Sequence, residues 1–203
     1  MNRPVGNPRR VTVAMLALVA AAIGPAGSSS ARPAAHAAAG PPPSQRTLTG
    51  SLIARRPGTL RPGTVISSHN VFKRTFLDAQ HGVALAGVGQ AQYPAATSNG
   101  GRTWRTSGPA LHINAAQAPL SVSEVGALSR SVYFAAGGGE VVDATPDGGR
   151  HWYQTLFGGG VLGAIPANGK LLAVIANNET TPANTWVYGS SDGGRIWHYE
   201  EGS

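Results

Sequence analysis

Short apolar runs separated by glycine and polar residues recur along the chain after residue 24. Examples are GVALAG (82–87), SVYFAAG (131–137) and KLLAVIA (170–176). Runs of this length, bounded by turn residues, are typical of buried β-strands. No stretch beyond residue 24 sustains an apolar period of about 3.6 residues, and glycine and proline recur too often for long helices. The pattern therefore predicts an all-β protein.

One octapeptide pattern occurs three times. It reads TSNGGRTW at 97–104, TPDGGRHW at 145–152 and SSDGGRIW at 190–197. The tryptophans that end the octads are 48 and 45 residues apart. A period of this size with β-character is typical of propeller blades. We therefore predict about three four-stranded blades over residues 61–203, which form an incomplete β-propeller.

Each octad is predicted to form a tight turn between the third and fourth strands of a blade. Ser, Thr, Asp and Asn side chains can bond local backbone amides, and glycine supplies backbone angles that other residues avoid. The tryptophan restarts the last strand and buries a large ring between sheets. The predicted structural residues are Thr97, Asn99, Gly101, Trp104, Thr145, Asp147, Gly149, Trp152, Ser190, Asp192, Gly194 and Trp197.

The octad pattern, Ser/Thr-x-Asp/Asn-x-Gly-x-x-Trp, resembles the Asp box of BNR-repeat β-propellers. That superfamily includes sialidases, xyloglucanases, sortilin-type receptors and photosystem II assembly factors. FLDAQHGVALAG (76–87) followed by ATSNGGRTW (96–104) is similar to a blade of the photosystem II assembly and stability factors. The resemblance covers about residues 64–203 and implies Asp boxes that lie away from the ligand-binding face. It implies no single activity, because the box occurs in enzymes, receptors and assembly factors alike.

The N-terminal region has the composition of an export signal. Residues 1–10 carry three arginines and no acid, and residues 11–24 are apolar but too short for an ordinary membrane-spanning helix. Ala35, His36 and Ala37 form an A-x-A cleavage site. We predict a signal peptide over 1–37, with an uncleaved membrane anchor as the alternative, and a secreted or extracytoplasmic protein. Residues 38–60 are predicted to be a Pro/Ala/Gly-rich linker, although RTLTGSLIA (46–54) could add one strand.

Charge and cysteine content exclude some classes of protein. The formal charge is +7, but removal of residues 1–37 leaves 12 basic and 9 acidic residues, which is no footprint for nucleic acid. The densest basic stretch, ARRPGTLR (54–61), is predicted to be a solvated loop. The chain has no cysteine, so an exported fold must rely on its core without disulfides.

Enzymatic chemistry finds little support in the residues. Sialidases need separated arginines that converge on a carboxylate, but Arg102, Arg150 and Arg195 occupy the same octad position and are expected to point outward. Beyond residue 37 the chain has four Asp and five Glu, and two of the Asp lie in octads, which leaves few for the carboxylate pair of a glucanase. GxSxG at 189–193 and GxGxxG at 158–163 lack the helix that either motif requires. We predict no catalytic residue, no cofactor and no metal site, since the histidines lack metal-ligand spacing.

The sequence thus predicts an exported, non-enzymatic binding or scaffold protein that recognises a protein or glycan partner and no nucleic acid. The alternative is a glycan-directed, sialidase-like protein, either a lectin or a glycoside hydrolase. Three blades leave both end blades with a bare face. We therefore expect either two chains that complete a ring of about six blades, or a marginally stable fragment of a larger propeller.

Overall fold

Strands dominate the computed structural model, which describes residues 41–111, 122–137, 139–177 and 184–202. The predicted all-β class is confirmed. Single turns of 3-10 helix occur at Pro43–Gln45 and Ser68–Asn70. The strands are β1 Thr47–Thr49, β2 Ser51–Leu52, β3 Val65–Ile66, β4 Val71–Phe76, β5 Gly82–Val88, β6 Ala91–Thr97, β7 Trp104–Thr106, β8 Val122–Ala127, β9 Tyr133–Gly137, β10 Val141–Thr145, β11 Tyr153–Leu156, β12 Gly160–Ala167, β13 Lys170–Asn177, β14 Asn184–Ser190 and β15 Ile196–Gly202.

The strands form three five-stranded antiparallel sheets that do not close into a ring. Sheet 1 has the order β3-β7-β6-β5-β4, sheet 2 the order β2-β11-β10-β9-β8, and sheet 3 the order β1-β15-β14-β13-β12. In each sheet four strands are consecutive in the chain and joined as a meander. The fifth comes from the segment 47–66, which supplies one outer strand to every sheet.

The fifth strand differs from the four-stranded prediction. β1 and β2 lie in the segment assigned to a linker, and RTLTGSLIA was expected to add one strand at most. Without a further partner, the fourth strands of the meanders, β7, β11 and β15, would each leave one edge of backbone N–H and C=O groups unpaired. Strands β3, β2 and β1 of the N-terminal segment pair with part of these edges. Between β1 and β2, Gly50 donates from its backbone N–H to the Arg195 carbonyl at 2.8 Å.

Side-chain alternation along the strands stacks the sheets in the order 1, 2, 3. In β9, Tyr133 and Ala135 pack against sheet 1, whereas Phe134 and Ala136 pack against sheet 3. Successive side chains of a strand point to opposite faces, so a fully buried strand of sheet 2 serves both interfaces. The central sheet is therefore apolar on both sides.

The two outer faces of the stack are different. On sheet 1, Trp104 packs with small residues such as Ala84 and Ala86, and Leu60 from the segment 53–64 lies against this cluster. On sheet 3, Ile165 of β12 pairs with Leu172 of β13, and the Ile165 side chain remains 52% exposed. The face of sheet 3 that points away from sheet 2 is thus a partly exposed apolar surface.

The octad turns and a candidate binding cleft

The three octads form the same turn in the three sheets. They connect β6 to β7, β10 to β11 and β14 to β15, which are the third and fourth strands of each meander. The hydroxyl of the first octad residue accepts a hydrogen bond from the backbone N–H of the fifth. The distances are 3.0 Å for Thr97 and Gly101, 2.9 Å for Thr145 and Gly149, and 2.9 Å for Ser190 and Gly194.

The third octad residue completes the network. Its side-chain oxygen accepts a hydrogen bond from the hydroxyl of the first residue and another from the backbone N–H of the seventh. Asn99 fills this role in the first octad, so the turn needs an oxygen acceptor and not a charge. The fifth residue has φ of 82° at Gly101, 95° at Gly149 and 89° at Gly194, a region that favours glycine.

The octad tryptophans are buried and connect neighbouring parts of the fold. Trp104 and Trp152 are 1% exposed, and Trp197 is fully enclosed. The indole Nε1 of Trp152 donates to the Ser107 carbonyl of sheet 1 at 2.9 Å. Trp197 packs edge-on against Phe157, which directly follows β11 of sheet 2, with ring centroids 5.4 Å apart. These hydrogen bonds and ring contacts hold the turns together and join neighbouring sheets.

A cleft of about 400 Å³ lies between sheets 1 and 2, next to the first two octads. The N-terminal segment explains its position. Between sheets 3 and 2 this segment crosses through Gly50 alone, where an added Cβ would lie only 2.7 Å from the Gly194 carbonyl. Between sheets 2 and 1 it takes the longer path 53–64, and Pro62 and Gly63 form one wall of the cleft. The seam between sheets 1 and 2 is consequently left open.

Three arginines and one histidine line the cleft, namely Arg105, Arg130, Arg150 and His81. No carboxylate is among the described residues of the lining. Arg105 donates to the Gly63 carbonyl at 3.0 Å, and Arg130 forms a 2.9 Å ion pair with Asp78. Arg150 makes no hydrogen bond or ion pair to any residue that the structure describes. The cleft is therefore cationic, and Arg150 is available to a ligand.

Asp78 belongs to the turn between β4 and β5 and holds part of this arrangement in place. Backbone hydrogen bonds from Gln80 and His81, the His81 side chain and Arg130 lower its pKa well below the usual range of Asp. Asp78 is not among the residues that line the cleft. It therefore fixes His81 and Arg130 and only partly neutralises the cleft.

The arginines show what sequence reasoning missed. Arg150 was expected to point outward with Arg102 and Arg195; it is exposed, and it alone of the three also lines the cleft. Arg105 follows the first octad, and Arg130 lies between β8 and β9. No local pattern links three residues on different elements, because only the stacking of sheet 2 on sheet 1 brings them to one seam. Of the predicted octad residues, Thr97 and Gly149 also line the cleft.

One buried acid lies elsewhere in sheet 2. Asp143 of β10 is 1% exposed, and it accepts a 2.9 Å hydrogen bond from Gln154 Nε2 of β11. Burial raises the pKa of Asp143 to about 7, although the bond from Gln154 lowers it in part. The residue has no carboxylate neighbour in its own ladder and does not line the cleft.

Within the four described ranges, no three His, Asp or Glu side chains are close enough to hold a metal ion. No helix in the same ranges is long and apolar enough to cross a membrane. The predicted signal peptide, residues 1–37, lies outside the described residues. Comparison with known proteins gave no match, whether to a family model, a curated protein or a solved structure.

Proposed function

We propose that the protein is an exported, non-enzymatic binding or scaffold protein, built as an incomplete β-propeller of about three blades. The three sheets repeat one strand order, and the octads make one turn at equivalent places in each. This repetition, together with the octad pattern, supports membership of the BNR or Asp-box propellers, with the octads as Asp boxes. The proposal includes an export signal in residues 1–37, which would direct the folded part out of the cytoplasm.

The open cationic cleft carries this proposal. It is walled by backbone, apolar side chains and fixed hydrogen-bond donors, while the described lining lacks a carboxylate that could act as acid, base or nucleophile. Its rim consists of turns that are internally hydrogen-bonded, so a partner would meet a largely pre-formed surface. These properties suit recognition of a macromolecule better than turnover.

The alternative is a glycan-directed, sialidase-like protein. Arginines and a tyrosine together in the cleft favour it, because an acidic sugar presents a carboxylate to arginine. However, the Tyr133 hydroxyl donates to the Arg130 carbonyl, and burial raises its pKa, so it is poorly prepared to act as a nucleophile. A lectin is the form of this alternative that the cleft fits better.

The exposed face of sheet 3 supports a second copy of the chain as one partner. Ile165 is 52% exposed and Ile196 is 39% exposed, whereas most apolar residues on the corresponding faces of sheets 1 and 2 pack into the buried clusters between the sheets. Two chains in contact through this face would bury both apolar surfaces.

Activity and binding assays on the purified exported protein separate these functions. Fluorogenic sialosides and glucans test turnover, a glycan array tests sugar binding, and an array of synthetic peptides tests protein recognition. Peptide binding without turnover supports the proposal. Retention on glycans without turnover supports the lectin, and hydrolysis would overturn the non-enzymatic assignment.

A further inference from the structure

We infer that the cleft between sheets 1 and 2 binds a carboxylate carried by an acidic, partly apolar segment of a partner protein. This inference rests on the proposed binding function and names the chemistry of the partner. It concerns only the cleft, so another partner surface, such as the face of sheet 3, is independent of it.

The lining of the cleft carries a net positive charge. Arg105, Arg130 and Arg150 come from sheet 1, sheet 2 and the second octad, and they meet at one seam with no lining carboxylate among the described residues. Arginine presents a planar fork of donors that matches a carboxylate. Asp78 already binds Arg130, and Arg105 is tied to a carbonyl. Arg150 therefore has the largest unused donor capacity.

An apolar wall lies next to these donors. Leu77, Val83 and Tyr133 line the same cleft. Leu77 is 36% exposed, an open apolar surface that bulk water contacts. A ligand that places an aliphatic or aromatic group beside its carboxylate would cover that surface and satisfy the arginine at once. An inorganic anion would leave the apolar wall uncovered.

A basic segment leads into the wall of the cleft. The segment 53–64 carries Arg55, Arg56 and Arg61, whose side chains are exposed. This segment is anchored to sheet 1, since the Thr106 hydroxyl donates to the Arg61 carbonyl at 2.6 Å. Arg61 directly precedes Pro62 of the cleft wall, so its positive charge adds to that of the cleft. This favours an extended acidic chain over a single small ion and steers such a chain toward the site.

The Ser107 side chain adds unused polar capacity. Ser107 lines the cleft beside Gly149, and its hydroxyl oxygen is enclosed and makes no hydrogen bond with any described residue. The fold therefore leaves the hydrogen-bonding capacity of this hydroxyl unused beside the second octad.

Fluorescence anisotropy of the full exported chain tests the inference with a labelled ten-residue peptide of alternating Asp and Leu. The controls are the matched Asn–Leu and Lys–Leu peptides. We expect the acidic peptide to bind at least tenfold more tightly than either control. Its affinity should fall steeply as salt is raised, because the contact is charge-assisted. Equal affinity for the neutral peptide, or no binding of the acidic one, would overturn the inference.

Arg150→Gln removes an arginine whose side chain makes no hydrogen bond or ion pair with any described residue. We expect it to lower the affinity for the acidic peptide at least fivefold. Arg150→Lys should give an intermediate affinity, since the lysine ammonium keeps the charge but lacks the planar fork of guanidinium donors. Arg195→Gln is the matched control, because Arg195 has the same octad position and charge but does not line the cleft. Equal losses in Arg150→Gln and Arg195→Gln would show a diffuse surface effect and refute the site.

Competition with benzoate distinguishes the source of the carboxylate. A peptide that binds at least tenfold more tightly than benzoate supports a protein segment. Benzoate that matches the peptide would assign the cleft to a small free carboxylate and overturn the protein source. Peptides or glycans that bind unchanged to Arg150→Gln would leave the proposed function standing while refuting this cleft as their site.

Discussion

Trp152 of the second octad donates from its indole Nε1 to the carbonyl oxygen of Ser107 at 2.9 Å and so connects sheet 2 to sheet 1. The same carbonyl lies directly against Gly149, where an added Cβ would overlap it. One backbone group thus receives a hydrogen bond and sets the distance between two sheets. The glycine of the octad is consequently required both by its own turn and by the neighbouring sheet.

Gly149→Ala should therefore destabilise the protein by two additive effects. The φ of 95° is unfavourable for alanine, and the methyl group collides with backbone that cannot rotate away. We expect a loss of about 3 kcal/mol in the free energy of unfolding, measured by chemical denaturation. Gly58→Ala is the control, because Gly58 has φ of 77° with nothing within 4 Å, and it should lose only about 1 kcal/mol. Equal losses would show that the contact with Ser107 contributes nothing.

Asp147 tests whether the octad carboxylates are structural. Asp147→Ala removes the acceptor for the His151 N–H and for the Thr145 hydroxyl, and we expect a loss of about 1–2 kcal/mol. Asp147→Asn keeps an oxygen acceptor, as Asn99 does in the first octad, and should stay within about 0.5 kcal/mol of wild type at neutral pH. Loss of partner binding in a well-folded Asp147→Ala protein would contradict the structural role.

Asp143 should make the protein less stable as the pH rises from about 4 to 7. Its folded pKa of about 7 exceeds the unfolded value of about 3.9, so between these values the folded state holds a proton that the unfolded state releases. Asp143→Asn removes this slope. We expect the free energy of unfolding of the variant, relative to wild type, to increase progressively from pH 4 to pH 7. Above pH 7 the difference should stay constant, at no more than a few kcal/mol. Parallel stability curves for the two proteins would refute the buried titration.

Asp147 should contribute a pH dependence of stability that is opposite in sign to that of Asp143. Burial disfavours ionisation of Asp147, but hydrogen bonds from His151 and Thr145 outweigh this effect and lower its pKa. Its contribution is therefore present above the unfolded pKa and is lost as the pH falls through the folded pKa. Denaturation below pH 4 should consequently show a smaller dependence on pH in Asp147→Asn than in wild type.

The exposed face of sheet 3 predicts self-association. We expect sedimentation of the mature protein at micromolar concentration to show a dimer, and Ile165→Lys to shift it toward the monomer, because a charge there must be desolvated on contact. Leu52→Lys is the control, since Leu52 is 59% exposed but lies on the outer strand of sheet 2. A stable wild-type monomer that unfolds cooperatively would contradict the prediction.

Export predicts a processed N-terminus. Sequencing of the protein from outside the cytoplasm should begin between about residues 27 and 40, because the basic and apolar segments of 1–24 precede an A-x-A site. Recovery of residues 1–10 from a soluble cytoplasmic pool would contradict a signal peptide. Recovery of the same residues from the membrane fraction would support the uncleaved anchor.

The sequence by itself determined the β-class and the positions of the repeated turns. Apolar runs bounded by glycine mark strands such as β5 and β13, since strand burial and turn chemistry are both local properties. The octads were located for the same reason: a hydroxyl, an acceptor and a glycine within five positions can close a turn without help from the rest of the chain.

Tertiary structure decided what joins the repeats and where a ligand could enter. Strands β1, β2 and β3 have only two or three residues each, too few to show alternation, and they are strands because the outer edges of the sheets accept their backbone groups. Arg105, Arg130 and Arg150 have no common pattern in sequence, and they converge because sheet 2 stacks on sheet 1 while the segment 53–64 passes around the seam. Contacts between residues so distant in the chain depend on packing, which no local pattern encodes.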